Sequence, residues 1–262
     1  MDTIISWLGA IFNPVMAWIY RVCGSFGITI LLFTLLSKAF LLPLSIWVHC
    51  NGLKVVRMQP ALNRLKIDHF GDKDAIADGQ AALYKAEKYN PLASLIPLVF
   101  QLLILMGVVD VIRHPAFPVS DTRFLGLDLA WIASDRGGLL LLIPLAAGAS
   151  ALLLSLVQNR LNPLQKEQKA GMQWGTLAFS VGLSLYLGYF VPAGVALYWI
   201  AGNLLAILQQ YLLNLAISPE KHIDYQALEE TREELKKLET LGDETGRDEA
   251  RALARMERES EK

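Results

Sequence analysis

Residues 27–47, GITILLFTLLSKAFLLPLSIW, decide how the rest of the chain is read. They number 21, and a helix needs about 20 apolar residues to cross a hydrocarbon core of roughly 30 Å. The run is almost wholly apolar, yet Lys38 stands in its middle. A charge at that depth costs about 2.5–3.5 kcal/mol on insertion scales, so it normally faces a partner or a water-filled cavity. Snorkelling to the interface is the alternative, but Trp47 lies nine residues on, ~14 Å along a helix.

Composition points the same way. Of 262 residues, 53% are hydrophobic, which excludes disorder and argues against an ordinary soluble domain. A net charge of −1 gives no sign of direct nucleic-acid recognition. Cys23 and Cys50 flank the first apolar run, so no disulfide between them is expected. The four histidines (His49, His69, His114, His222) are scattered singly, and no metal site or cofactor is expected. No phosphate loop, paired-carboxylate site or nucleophile–His pattern stands out, so the chain does not read as an enzyme. No basic leader precedes the first apolar residues, and no lipoprotein pattern surrounds Cys23, so the unprocessed N-terminus is expected to be the mature one.

Residues 1–26 are expected to form an outer interfacial segment, with a helix from Asn13 to Val22 lying at headgroup level. Span one is 27–47. Residues 48–90 carry Lys54, Arg57, Arg64, Lys66, Lys73, Lys85 and Lys88, with apolar residues at helical spacing and a turn at Gly71-Asp72-Lys73. They are expected to form a cytoplasmic helical hairpin, with a second helix over Asp74 to Tyr89 and Pro60 beginning or kinking the first. Span two is 91–112, interrupted by Pro97 and Gln101, followed by an outer loop over 113–138. Span three is 139–157, then a cytoplasmic loop over 158–173, span four over 174–191 and span five over 193–213. Residues 214–262 form a charged cytoplasmic tail with Leu228, Leu235 and Leu238 on one stripe and Glu233–Lys237 as an i,i+4 pair.

Five spans put the termini on opposite sides. The hairpin, the 158–173 loop and the tail together carry 19 Lys/Arg, against four on the other side. The positive-inside rule then places the N-terminus outside and the C-terminus in the cytoplasm. The fold expected is an all-α membrane protein with five transmembrane helices around a cytoplasm-open polar groove.

Polar groups at membrane depth are the pointers to function. They are Thr34, Ser37 and Lys38 on span one, Gln101 on span two, and Asn203, Gln209 and Gln210 on span five. Lys38 has no carboxylate in the same predicted core, since Asp110 falls near the outer end of span two. The physical consequence is a hydrated, positively charged cavity. Gln101 and Asn203 have an ordinary alternative as interhelical glue. Tyr198 and Trp199 read first as packing or interface anchors.

Several stretches together resemble the YidC-type membrane protein insertases, relatives of the mitochondrial and thylakoid insertases. They are Thr34-Leu-Leu-Ser-Lys38 with Leu42-Pro43-Leu44, Met58-Gln59-Pro60 through Leu83-Tyr84-Lys85, and Asn90-Pro91 with Pro97 and Gln101. Phe124-Leu125-Gly126-Leu127-Asp128-Leu129 follows, then Pro192-Ala193-Gly194, Leu197-Tyr198-Trp199, Asn203 and Gln209-Gln210-Tyr211. The match covers about residues 20–215, and its order and spacing carry the specificity.

The resemblance implies five helices around a groove whose single cation sits at Lys38, with Thr34, Ser37, Gln101, Trp199 and Asn203 as client-groove residues. It implies a chaperone-like insertase of the bacterial cytoplasmic (inner) membrane, moving client segments from cytoplasm into lipid. Its expected partners are newly made membrane proteins and the bilayer, with the ribosome and a larger translocon as further candidates. Three departures from the family stand out. Lys38 replaces the usual bacterial arginine, no large outer domain or lipoprotein signal is present, and the tail has nine basic against fourteen acidic residues. The rival functions are a non-catalytic membrane assembly subunit and a small anion transporter.

Overall fold

The computed structural model describes residues 2–166, 168 and 170–245, with side chains for all of these but 2–5, 94, 95, 98 and 242–245. Lys169 of the expected 158–173 loop and residues 246–262 of the expected tail lie outside the described residues. The chain divides into two compact units. The first is Met1–Val48 with Leu92–Ile217; the second is His49–Pro91 with Ser218 onward.

In the first unit, α1 (Asp2–Cys23) starts earlier than the expected helix at Asn13 and passes through Pro14 unbroken. It buries Leu8, Met16 and Ile19, so it is packed on one face. Gly24, at φ +66°, ends it in the left-handed conformation that suits glycine, and its N–H returns to the Tyr20 carbonyl at 2.8 Å. The next helix, α2 (Phe26–Phe40), stops at Leu41, and α3 (Leu42–Asp68) begins at once with a bend of 51°. Span one was expected as one continuous helix; it is a broken pair. The cause is Pro43, which has no N–H to offer the Ala39 carbonyl and whose ring clashes with it. Pro60, by contrast, lies inside α3 without ending it.

Pro91–Leu95 is a 3₁₀ turn leading into α5 (Ile96–Arg113), α4 belonging to the second unit. Pro97 therefore sits in the first turn of α5, where its missing N–H costs nothing. The connection after α5 holds a minimal antiparallel hairpin, β1 (Arg123–Phe124) and β2 (Leu127–Asp128). Leu125 and Gly126 both have positive φ, as a two-residue hairpin turn of this hand requires. Phe124 lies directly on Gly27 of α2, where any Cβ would collide with its ring.

A short α6 (Ala133–Arg136) leads to α7 (Leu142–Leu161), α8 (Pro163–Lys166), α9 (Ala170–Phe190) and α10 (Ala193–Ala216). α7 and α9 approach backbone to backbone: a Cβ on Gly188 would stand 2.6 Å from Pro144 Cα, and one on Gly148 2.8 Å from Leu185. Small residues at this spacing are what let helices meet closely where burial from water supplies no drive. The loop carbonyls of Leu129 and Trp131 accept from Gly194 and Ala193, which fixes the start of α10.

The surface is inverted relative to a soluble bundle. Leu145, Phe179 and Leu215 are more than 60% exposed, and similar side chains run along α2, α5, α7, α9 and α10. An apolar exterior of this extent belongs in lipid. Among the described residues, two helices are long and apolar enough to cross a membrane, Gly138–Leu161 and Ala193–Lys221, and the bent α2–α3 pair adds a third if it counts as one span. The chain is an all-α membrane protein, with one small β-hairpin over 123–128 among the described residues.

In the second unit, α3 from His49 onward pairs with α4 (Lys73–Ala86) and α11 (Tyr225–Thr245). Gly71, at φ +87°, makes the turn, and Asp72 caps α4 by accepting from the Ala75 N–H at 3.0 Å. The far end of the hairpin is tied by Asn51, which exchanges two hydrogen bonds with the Asn90 backbone (2.8 and 3.2 Å), and by an Arg57–Glu87 ion pair.

Candidate functional site

Lys38 sits in the last turn of α2. The break at Leu41 therefore gives it a helix C-terminus, whose carbonyl ends carry partial negative charge. A cation there gains about 0.3–1 kcal/mol, and up to ~2 when partly buried. The same proline that breaks the helix thus supplies electrostatic compensation in a stretch with no acidic residue.

The side chain is half-buried and meets two other helices. Lys38 Nζ donates to Gln101 Oε1 on α5 at 3.5 Å, and Gln101 Nε2 donates to the Tyr198 hydroxyl oxygen on α10 at 3.1 Å. On α2, Ser37 Oγ donates to the Thr34 carbonyl at 2.8 Å. Gly202, one turn beyond Tyr198, lies beside the same side chains: a Cβ there would be 3.9 Å from Lys38 Cε and 4.0 Å from Thr34 Cγ2, ordinary contact distances. Tyr198 itself is 1% exposed.

An ammonium has three N–H donors. Among the described residues Gln101 is its one hydrogen-bond partner, and no ion pair reaches Lys38. Two donors are unspent. The carboxylate on α5, Asp110, stands nine residues from Gln101, ~14 Å along the helix. It is engaged by His114 Nδ1 at 3.5 Å and packs over Gly9 of α1.

The candidate residues divide in two. Lys38, Ser37, Gln101 and Thr34 converge. Trp199 and Asn203 do not join them: Trp199 Nε1 donates to Ser184 Oγ on α9 at 3.0 Å, and Asn203 Nδ2 donates to Ser150 Oγ on α7 at 3.0 Å. They tie α10 to the other side of the bundle. Tyr198, first read as packing, is the residue that sequence reasoning missed. Nothing in the sequence sets it apart from Trp199 beside it.

A family model described as "60Kd inner membrane protein" matches residues 18–220. Among curated relatives, a "Membrane protein insertase YidC" of Fusobacterium nucleatum is 30% identical over 190 residues, 72% of this chain and 86% of that protein. Proteins of the same description from Shewanella loihica and Ralstonia nicotianae are 28% and 30% identical over 79% and 82% of this chain. The chain spans only 36% and 37% of the length of those two.

Proposed function

Because the chain belongs to the 60Kd inner membrane protein family, that of the YidC-type insertases, we propose that it is a membrane protein insertase of the bacterial inner membrane. It would hold five spans around a groove open to the cytoplasm, with the N-terminus outside. The apolar exteriors of α2, α5, α7, α9 and α10 support five spans, and the charge asymmetry of the sequence supports the orientation.

The observation that carries the reading is Lys38: half-buried, held by one neutral amide, with two donors left over. A client segment with an acidic residue would pair with it. At an effective dielectric near 20, two charges 4 Å apart gain about 4 kcal/mol before desolvation, comparable to the cost of one acidic residue at membrane depth. Gln101 and Tyr198 would hold the cation in place while water and the client compete for it. The client's apolar helix would then leave sideways, driven by partition into lipid. No bond is made or broken, and newly made membrane proteins and the bilayer are the partners. The ribosome or a larger translocon would deliver the clients.

Complementation of a cell depleted of its own insertase tests this. Rescue by the wild type and by Lys38→Arg but not by Lys38→Leu is expected. Rescue by all three would move function from the cation to the hairpin, as an assembly subunit would show. Solute uptake by vesicles carrying the protein alone would instead mark an anion transporter.

A further inference from the structure

In the second unit, α3 is covered on two opposite faces by two different helices. The α4 side is polar at its far end, through Asn51, Lys54 and Arg57. At 100° per residue, Leu53, Val56, Asn63 and Ile67 share the other face, and all four are buried. What covers the end of that face is α11. Ile67 and Leu238 form a buried cluster with Phe70, Leu235 and Leu241 packed on it. Asn63 Nδ2 donates to Thr231 Oγ1 at 3.2 Å, both residues being under 5% exposed. The order of these pairs makes α11 run parallel to α3.

α11 is capped by Asp224, which accepts from the Ala227 N–H at 3.0 Å, and it buries its apolar stripe in this seam. On its outer side Glu229 and Glu233, and Glu230 and Glu234, stand at i,i+4, where like charges oppose helix formation. The Arg232–Glu229 pair at 3.2 Å, Glu233–Lys237 at i,i+4 and the Gln226–Glu230 hydrogen bond at 2.9 Å act the other way. α4, the other candidate to shield α3, has no fully buried residue. Without α11, the hairpin would present an apolar stripe to water.

We propose that α11 is a removable cover over the client-receiving face of the hairpin. It lifts when a helix of a newly made membrane protein takes its place. The occupant is specified by what it replaces: an amphipathic helix with Leu-like residues at the spacing of Leu228, Leu235 and Leu238, and a hydroxyl or amide opposite Asn63. This inference rests on the insertase reading, because it takes the hairpin as the first place a client meets.

The test uses the full chain in vesicles, with Cys23→Ser and Cys50→Ser, and a reversible lock made by Asn63→Cys with Thr231→Cys. A photo-crosslinking residue at Gln59, on the rim of the seam, reports client contact. Oxidation should close the lock, abolish the Gln59 adduct and slow insertion about tenfold, because the open form is no longer populated; reductant should restore both. A fully formed lock with unchanged adduct and insertion would overturn the proposal, as would failure of the lock to form. If the reduced protein inserts nothing but the adduct still follows the lock, the cover stands and the insertase reading falls. Leu238→Glu, which loosens α11 without touching α3, should raise the adduct above wild type; no rise counts against release.

Discussion

Lys38 and Asn63 are both polar side chains held where helices meet, and the two contacts use their hydrogen bonds in opposite ways. Asn63 gives its amide N–H to Thr231 and its oxygen accepts from Gln59 at 3.3 Å, while Thr231 passes its own proton to the Ala227 carbonyl at 2.8 Å. That chain of bonds ends on the backbone of α11. Lys38 spends one donor of three. A closed polar pair sets the register of two helices, whereas an open one has capacity for a ligand. By that measure Lys38, not Asn63, has capacity left for the client proposed above.

The comparison breaks first at Lys38. Lys38→Leu should lose about 2–3 kcal/mol of interaction with an acidic client, roughly a 30- to 150-fold fall in insertion rate, while Lys38→Arg keeps most of it. Clients without an acidic translocated segment should fall much less in the same vesicle assay; equal loss for both kinds would sink the electrostatic role.

Next comes packing as a control. Gly188→Val forces a side chain onto the Pro144 backbone and should cost about 1–3 kcal/mol, read as a lowered Tm in detergent. An unchanged Tm would mean that the α7–α9 contact is looser than described.

A smaller effect is expected at the closed pair. Asn63→Leu removes one net hydrogen bond, about 1 kcal/mol, and should speed hydrogen exchange in α11 about fivefold while leaving α4 unchanged. Smallest is Tyr198→Phe, which takes the acceptor from Gln101 at a cost of about 0.5–1 kcal/mol. Insertion of acidic clients should drop two- to fivefold by that estimate. A fall as deep as that of Lys38→Leu would make the tyrosine, not the lysine, the centre of the site.

Much of this architecture is written in residue types. The apolar runs that end in α7 and α10, the lone lysine, and the leucine stripe of the tail are one-dimensional signals, because lipid exposure and helix periodicity act along the chain. Partner choice is not such a signal. Trp199 and Asn203 sit within five residues of Tyr198, yet they face α9 and α7 while Tyr198 faces α5; a rotation of 100° per residue decides that, and only the neighbours reveal which direction is which. Prolines mislead for a related reason. Pro43 breaks a helix and Pro60 does not, although both lie in helical patterns. The cost of a missing hydrogen bond is local, but what surrounding packing can absorb is not. The tail's stripe was legible as a surface for some partner; that the partner is the chain's own hairpin depended on contacts far apart in sequence.

The glycine contacts of α7 and α9 have a mechanical consequence. Where Gly188 meets Pro144, no rotatable side chain lies between the two backbones, so that joint is stiff. At Lys38 the polar link from α2 to α5 is a lysine and a glutamine in series, each with several soft torsions, beside the apolar core the two helices share. A client entering as proposed would find the α7–α9 joint the least able to yield, and would have to be accommodated where side chains rather than backbones meet.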